Sequence, residues 1–262
     1  MVEVHQAVNP EYERDGYLRV AGAFSSAEIA QLNTLLSAYY SAWIETNEEA
    51  FRLGAINAAY LTAPDLLSPS QRETLFQFLG SRALMAQVNA VFDSPPCFMN
   101  TQLFFDPADP AQANYWHRDP QYHLDECQQR AALTGPEVVH FRIATKHESG
   151  IELVPGSHRR WDTPQQWSVR MGLAGRQPAD DLPGSERIAL EPGDLLIFSA
   201  NMLHRGLYGG QRLALDVLFC DPDPSLLEFL SRHCLPGPEA IAKMDMPSAF
   251  LNTLALMADN HN

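Results

Sequence analysis

The spacing of apolar residues along the chain changes at about residue 95. Before that point apolar residues recur three or four positions apart, which places them on one face of a helix. Ser25 and Glu28 have the spacing of a capping box, and they precede the apolar positions Ile29, Leu32, Leu35, Leu36 and Tyr39. We therefore predict that residues 25–92 are mainly helical, with a second helix at 71–79 and a third at 83–92.

After Pro95 and Pro96, short strands separated by turns replace the helical spacing. The predicted strands are 98–105, 115–119, 138–145, 151–154, 188–190, 194–199 and 213–220. Strands of this length and spacing are typical of a double-sheet jelly roll. We predict a mainly β fold with flanking helices, in which a double-stranded β-helix (jelly roll, cupin-like) forms the core.

The chain length and the lack of an evident linker favour one domain over residues 1–262. Its predicted parts are a helical N-terminal region at about 1–95, the jelly-roll core at about 96–221 and a C-terminal helical extension at about 222–262. Between Trp161 and Ser185 a polar connection rich in Gly, Pro and Gln is long for a loop. This connection is a candidate active-site lid or substrate loop.

The formal net charge of −14 makes nucleic acid an improbable partner, because binding there depends on Lys and Arg that neutralise phosphates. Basic residues gather locally at His158, Arg159, Arg160, Arg170, Arg176 and Arg187. They either are solvated surface residues or form a basic rim that admits an anionic small molecule. The sequence leaves these two interpretations open.

No apolar run is long enough to span a membrane, so we expect no membrane partner. The first residues, 1–6, lack a basic segment followed by an apolar stretch, and we expect no secretory signal there. The four cysteines are widely spaced without a Cys-x-x-Cys motif, which predicts buried free thiols in a reducing compartment. A cytoplasmic enzyme fits these features, while the oligomeric state is left open.

Two histidines and one carboxylate, namely His117, Asp119 and His204, stand out as candidate metal ligands. Residues two apart in a strand point to the same side, so His117 and Asp119 can converge on one ion while Arg118 points away. A second His-x-Asp pair, at 123 and 125, opens a polar run that is typical of an exposed turn or short helix. From spacing alone, the pair at 117 and 119 is equally consistent with a buried hydrogen-bonded pair.

Five motifs follow one another along the chain. They are residues 12–29, Trp116-His117-Arg118-Asp119, residues 148–158, Gly193-Asp194-Leu195-Leu196-Ile197-Phe198 before His204, and residues 211–217. Together they resemble the phytanoyl-CoA dioxygenase family of Fe(II)/2-oxoglutarate oxygenases. In order, they resemble the opening strand and first helix of the family, its metal dyad, its signature turn (the most specific of the five), the strand that leads to its distal histidine, here His204, and the strand that carries an arginine.

This resemblance implies Fe(II) held by His117, Asp119 and His204, which would be both the metal ligands and the catalytic residues. It implies that Arg212 binds the far carboxylate of the cosubstrate 2-oxoglutarate. With O2, 2-oxoglutarate would be converted to succinate and CO2 while a small-molecule substrate is hydroxylated or desaturated. In related halogenases a small residue replaces the carboxylate, so Asp119 favours hydroxylation or desaturation over halogenation.

Four further residues have open roles. Arg142 stands where the family often has tryptophan, and it binds a cosubstrate or substrate carboxylate or else forms a salt bridge. His140, on the same strand face, is equally ambiguous. Gln102 is a candidate inward hydrogen-bonding group beside the cosubstrate or a structural residue, and His158 is expected to brace the signature turn. Because Arg212 follows His204 after only eight residues, the turn between them must be short.

Three other functions remain open from the sequence. A cupin-like metalloenzyme would keep the metal ligands without using 2-oxoglutarate and would not need Arg212. A binding domain of the same fold would have no activity. A protein-modifying oxygenase would use the same chemistry on a larger substrate, and an open groove instead of a closed pocket would favour it.

Overall fold

The computed structural model describes residues 8–259, so the N-terminal residues 1–6 considered above lie outside the described residues. The helices are α1 Pro10–Asp15, α2 Ser26–Thr46, α3 Glu48–Arg52, α4 Pro69–Leu79, α5 Arg82–Asn89, α6 Glu126–Ala132, α7 Pro164–Arg170, α8 Pro238–Ala242 and α9 Ser248–Asp259. The strands are β1 Tyr17–Val20, β2 Asn57–Ala59, β3 Cys97–Phe105, β4 Val138–Ala144, β5 Glu148–Leu153, β6 Glu186–Leu190, β7 Leu195–Ser199, β8 His204–Gly206 and β9 Leu213–Cys220. Short 3₁₀ helices cover 119–122, 157–159, 224–229 and 232–234.

The helices predicted within residues 25–92 are confirmed, with two additions. The backbone N–H of Glu28 donates to Ser25 Oγ, and the Glu28 carboxylate accepts from the Ser25 N–H, so the capping box begins α2 as predicted. The predicted second and third helices correspond to α4 and α5. The short helix α3 and the edge strand β2, which pairs with β3, were not predicted within this region.

Within residues 8–259, the strands form two antiparallel sheets, as expected for a jelly roll. One sheet has the order β1-β7-β4-β9-β3-β2 and the other has the order β6-β5-β8. Alternate residues of β4 and β9 point to opposite faces of the larger sheet. Residues such as Phe141 and Val217 join the core against the helices, whereas His140, Arg142 and Asp216 line a cavity on the opposite face. The same alternation therefore builds the core and the polar interior.

The predicted strand at 115–119 is wrong. His117 makes a single antiparallel bridge to His204, and Asp119 begins the 3₁₀ helix at 119–122. Pro120 explains the change, since proline has no N–H to donate to a neighbouring strand and its ring fits the first turn of a helix. Strand β8, which begins at His204, was not predicted.

Cys97, Cys220 and Cys234 are buried free thiols, as predicted, but Cys127 is a free thiol on the exposed side of α6. Among residues 8–259, no helix has the length and apolar character that would let it cross a membrane.

Candidate metal centre

Three side chains from two neighbouring segments meet at a candidate metal centre. His117, Asp119 and His204 each offer one ligand atom, and these atoms lie within 4.8 Å of one another. Asp119 Oδ1 lies 3.5 Å from His117 Nε2 and 3.7 Å from His204 Nε2. Two imidazoles and one carboxylate on one side of an ion form the ligand set of mononuclear non-haem Fe(II) sites, in which the remaining positions stay open.

Backbone carbonyl groups fix how both histidines face this centre. Nδ1 of His117 lies 3.1 Å from the carbonyl oxygen of Tyr115, and Nδ1 of His204 lies 2.9 Å from that of Met202. With the proton on Nδ1, each ring donates to its carbonyl and presents an unprotonated Nε2 to the centre. Two backbone hydrogen bonds, of 2.9 and 3.0 Å, join His117 and His204 and hold the segments side by side.

The protonation states near neutral pH suit metal binding. Burial lowers the pKa of His117, and it lowers the pKa of His204 to about 3. Burial by itself raises the pKa of Asp119, but the nearby histidines, His140 foremost, hold it well below its usual range. The imidazoles are therefore neutral and the carboxylate is ionised, and these are the forms that bind a metal ion.

His140 binds the second oxygen of the Asp119 carboxylate. Its Nε2 lies 2.7 Å from Asp119 Oδ2, its Nδ1 lies 3.2 Å from Asp216 Oδ2, and its ring stacks on Phe198. Burial lowers the pKa of His140, but the two carboxylates raise it to about 9. The charged ring therefore donates an N–H to each carboxylate and leaves only Oδ1 of Asp119 facing the centre.

Arg142 forms the salt bridge that was one of its two open roles. Its Nη1 donates to Asp216 Oδ1 at 2.9 Å, and its Nε and Nη2 donate to the carboxylate of Glu148 at 2.9 and 2.8 Å. Arg142, Glu148 and Asp216 are all buried. Asp119, His140, Asp216, Arg142 and Glu148 thus form a row of alternating negative and positive charges.

Arg212 stands at the end of this row with unused donors. Its side chain is 2% exposed, and within residues 8–259 its Nε and Nη1 have no hydrogen-bond partner. Its Nε lies 3.9 Å from Glu148 Oε2, too far for a hydrogen bond. Burial, together with the charge of Arg142, lowers the pKa of Arg212 to about 10. A buried cation without paired donors is costly, so the site favours an anion.

The turn before Arg212 is short, as the spacing of eight residues between His204 and Arg212 requires. Gly209, Gly210 and Gln211 have positive φ angles, which suit glycine at the first two positions. The Asp106 carboxylate accepts hydrogen bonds from the backbone N–H groups of Gly209, at 2.7 Å, and Arg212, at 3.1 Å. The Arg212 guanidinium then lies over the ring of Phe104.

A cavity of about 850 Å³ connects these groups. Its wall contains the candidate site residues His117, Asp119, His204, Arg212, Arg142 and Gln102. Gln102 lies on β3 directly opposite Asp216 of β9. The geometry therefore brings the candidate metal ligands and the candidate cosubstrate arginine into one cavity.

The segment 161–185 is not a lid on this cavity, and that prediction is wrong. Among the described residues that line the cavity, none comes from 161–185 or from the six basic residues around the signature turn. Val169 and Leu182 instead pack against Trp116, Val154 and Leu203. Arg170 is buried and pairs with Asp162 at 2.7 Å, so it forms no part of a basic rim.

The second His-x-Asp pair has a structural role. The Asp125 carboxylate accepts a hydrogen bond of 2.8 Å from the Gln128 N–H and caps the N-terminus of α6. The His123 ring lies against Phe229 at the cavity wall, apart from the candidate ligands.

Comparison of the sequence with protein-family models identifies the family of the chain. No curated protein matches the chain. The family model "Phytanoyl-CoA dioxygenase (PhyH)" matches residues 12–207, which is most of the chain. The chain belongs to the phytanoyl-CoA dioxygenase family. It is therefore an iron- and 2-oxoglutarate-dependent oxygenase by family membership, as the resemblance implied.

Solved structures of low sequence identity share the fold of this phytanoyl-CoA dioxygenase family member. AviO1 from Streptomyces viridochromogenes matches with a TM-score of 0.57 and 19% identity, over 81% of this chain and 92% of that chain. EctD from S. alaskensis with bound Fe has a TM-score of 0.56 and 15% identity, over 81% and 75%. The epimerase SnoN, in complex with Fe3+, alpha ketoglutarate and nogalamycin RO, has a TM-score of 0.53 and 17% identity, over 81% and 81%.

The signature turn of the family member packs behind the candidate metal centre. Ser157 Oγ accepts a hydrogen bond of 2.9 Å from the N–H of Leu203, next to His204, and the Val154 N–H donates to the Leu203 carbonyl. Arg118 points away from the centre, as predicted, and donates to the Ser157 carbonyl at 2.7 Å. The turn thereby ties the segment at 117–119 to the strand of the distal histidine.

Gly16 and His158 show why the first helix and the turn must fit closely. Gly16 has a φ of 81° and ends α1. A Cβ atom there would lie 2.4 Å from Nδ1 of the buried His158, so this position accepts only glycine without a shift. His158 packs at this contact and lies outside the group of candidate ligands, in agreement with the bracing role expected for it.

Glu148 and Asp216 are the functional residues that sequence reasoning missed. Asp216 is an acid within an otherwise apolar strand, and it lies two residues before Leu218 and four after Arg212 on one strand face. This alternation with a period of two could have identified Asp216 as an inward-facing residue from the sequence. The pairing of its strand β9 with β3 and β4 could not be inferred in that way, because these strands are distant along the chain.

Proposed function

We propose that the protein is a dioxygenase that binds Fe(II) through His117, Asp119 and His204 and binds 2-oxoglutarate through Arg212. The observation that carries the proposal is the buried guanidinium of Arg212, whose unused donors face the same cavity as the three candidate ligands. Neutral imidazoles and an ionised carboxylate suit Fe(II). A planar guanidinium matches the far carboxylate of 2-oxoglutarate.

The bound Fe(II) and 2-oxoglutarate supply the oxidising chemistry with O2, and succinate and CO2 are released. The chain itself holds and orients these groups. His140 fixes the Asp119 carboxylate so that Oδ1 faces the ion. Phe198 and Ile151 cover the inner cavity wall with apolar surface and exclude water.

Hydroxylation or desaturation is the reaction outcome that the site supports. Asp119 keeps a carboxylate at the position where related halogenases need room for halide. We expect no chlorinated product when the unmodified enzyme turns over in the presence of chloride, as checked by mass spectrometry. A chlorinated product would contradict this part of the proposal.

A small molecule is the substrate class that the cavity supports. Its volume of about 850 Å³ lies in the range of small-molecule sites. A metalloenzyme without 2-oxoglutarate would leave Arg212 without an anionic partner, which argues for the oxygenase.

The test uses the unmodified protein. Anaerobic addition of Fe(II) and 2-oxoglutarate should produce a visible metal-to-ligand charge-transfer band. Exposure to air, with ascorbate supplying the two electrons that a substrate would otherwise give, should then convert 2-oxoglutarate to succinate and CO2. A protein that binds Fe(II) but gives neither the band nor succinate would refute the use of 2-oxoglutarate.

A further inference from the structure

The part of the cavity beyond the metal centre has a continuous apolar wall. Met99 and Leu218, on the neighbouring strands β3 and β9, form this wall together with Val138 of β4. Leu226 and Phe229, on the 3₁₀ helix at 224–229, pack against the same cluster. We name this part of the cavity, bounded by these five residues, the outer chamber.

Neutral polar groups also line the cavity, in addition to the apolar wall of the outer chamber. Asn57 and Gln128 bring amides to the cavity wall, Ser225 brings a hydroxyl, and Tyr115 and Tyr122 bring phenols beside His117. Amides and hydroxyls can orient a ligand by hydrogen bonds without adding charge.

The described cavity wall offers no positive charge that is still free for an anionic substrate, because the charged His140 already pairs with Asp119 and Asp216. Among the described residues that line the cavity, the only Lys or Arg side chains are Arg142 and Arg212. Arg142 already pairs with two carboxylates, and the proposed function assigns Arg212 to 2-oxoglutarate. The exposed charged carboxylate at the outer chamber is Glu228, which repels anions.

The charge distribution bears directly on acyl-CoA thioesters, the substrates for which the family is named. The phosphate groups of coenzyme A are recognised by Lys and Arg side chains. The basic residues around the signature turn lie away from the cavity, and the chain as a whole carries a net charge of −14. Both features disfavour the binding of a polyanion such as coenzyme A at the cavity.

We propose that the substrate of this enzyme is an uncharged, mainly apolar small molecule with a few hydroxyl or amide groups, and not an acyl-CoA thioester. The apolar wall binds the hydrocarbon part, and the amides and hydroxyls of the cavity hold its polar groups by hydrogen bonds. This inference rests on the proposed function, because it takes Arg212 to be occupied by 2-oxoglutarate.

Three probes that share one acyl chain test the inference: decanamide, decanoate and decanoyl-CoA. Titration calorimetry is carried out anaerobically on the protein loaded with Fe(II) and 2-oxoglutarate. We expect decanamide to bind at least about tenfold more tightly than decanoate or decanoyl-CoA, a difference of roughly 1.4 kcal/mol or more. Binding of decanoyl-CoA as tightly as decanamide, or no binding of decanamide, would overturn the inference.

A pair of variants locates the binding site. Leu226→Arg places a charge in the outer chamber, and Leu227→Arg places the same charge on the adjacent residue of the same 3₁₀ helix, which does not line the cavity. Leu226→Arg should weaken decanamide binding by about tenfold or more, whereas Leu227→Arg should leave it unchanged. Equal weakening in both variants would place the probe outside the outer chamber and overturn the inference.

A failure of the substrate inference can be distinguished from a failure of the proposed function. The charge-transfer band and succinate formation report on Fe(II) and 2-oxoglutarate without any of the three probes. If the band forms and decanoyl-CoA is the tightest probe, the proposed function holds and the substrate inference fails. If the band is absent and decanamide still binds to the metal-free protein, the assignment of the cosubstrate fails instead.

Discussion

His140 holds one oxygen of the Asp119 carboxylate and leaves the other free. The distance from His140 Nε2 to Asp119 Oδ2 is 2.7 Å, while Asp119 Oδ1 lies within 4 Å of both His117 Nε2 and His204 Nε2. A carboxylate held in this way can offer a single oxygen to an ion. It therefore keeps the remaining coordination positions open for other ligands.

Replacement of His140 should weaken metal binding although His140 is not a ligand. In the His140→Phe variant we expect Fe(II) affinity to fall by about 10- to 100-fold, because the carboxylate loses the group that orients it. Anaerobic Fe(II) titration measures this effect. His123→Phe, the same replacement at another cavity-wall histidine, should keep the affinity of the unmodified protein. Unchanged Fe(II) affinity in His140→Phe would contradict the orienting role.

The three candidate ligands should be individually required. We expect His117→Ala, Asp119→Ala and His204→Ala to remove or sharply weaken the charge-transfer band, since each loses one of three protein ligands. The matched controls are His123→Ala and Asp125→Ala, which change the second His-x-Asp pair and should leave the band intact. Loss of the band in these controls would mean that the metal binds at the other pair.

The two arginines of the cavity should respond differently. Arg212→Met should weaken 2-oxoglutarate binding by about 30- to 4000-fold, which corresponds to roughly 2–5 kcal/mol for a lost charged partner. Its Fe(II) affinity should be unchanged, because no candidate ligand is altered. Titration of the charge-transfer band with 2-oxoglutarate measures the first effect, and Fe(II) titration measures the second.

Arg142→Met should instead act on the stability of the fold. The substitution leaves Glu148 and Asp216 without their shared cation, and breaking a buried pair costs about 3–5 kcal/mol. For a protein of this size we expect the melting temperature to fall by roughly 6–20 °C. A variant that melts normally but no longer binds 2-oxoglutarate would show that Arg142, not Arg212, is the cosubstrate arginine.

Because of His158, the free energy of unfolding should fall in mild acid. Burial, aided by the charges of Arg159 and Arg118, lowers the pKa of His158 to about 4; the backbone of Glu13 and the charge of Asp15 oppose this shift only in part. The unfolded chain, with an ordinary histidine pKa of about 6.5, binds a proton that the folded protein does not. The contribution of His158 to the free energy of unfolding is therefore complete above pH ~6.5, and it is lost as the pH falls to ~4. The total loss over this pH window is about 3 kcal/mol.

Urea unfolding of the unmodified protein and His158→Gln, measured across this pH window, checks the prediction. Since glutamine does not titrate, the difference in the free energy of unfolding between the two proteins should change with pH by the amount given above. A constant difference would show that His158 takes up its proton equally in both states.

Local patterns predicted those parts of the fold and site that depend on neighbouring residues. The capping box at Ser25, the turn before Arg212 and the shared strand face of His140 and Arg142 all follow from residues a few positions apart. The candidate ligands were identified with the help of the family resemblance, because spacing alone left a buried pair equally possible.

What the sequence left open, and part of what it predicted wrongly, depends on contacts between segments that are distant along the chain. The pairing of Arg142 with Asp216 depends on the register between β4 and β9, which no local pattern reveals. The segment 161–185 was expected at the cavity because of its length, but its apolar residues pack beside Trp116 on another side. The strand predicted at 115–119 fails for a local reason, because Pro120 fits the first turn of a 3₁₀ helix and Asp119 begins that helix.

The position of β9 within the larger sheet determines when, during synthesis of the chain, the candidate site can be completed. This strand is last in the sequence, yet it lies inside the larger sheet, between β4 and β3. A nascent chain that ends before Leu213 already carries His117, Asp119 and His204, but it lacks the strand that joins the two halves of the sheet. Since such distant pairing forms slowly, we expect iron to be retained only after β9 has left the ribosome and closed the sheet.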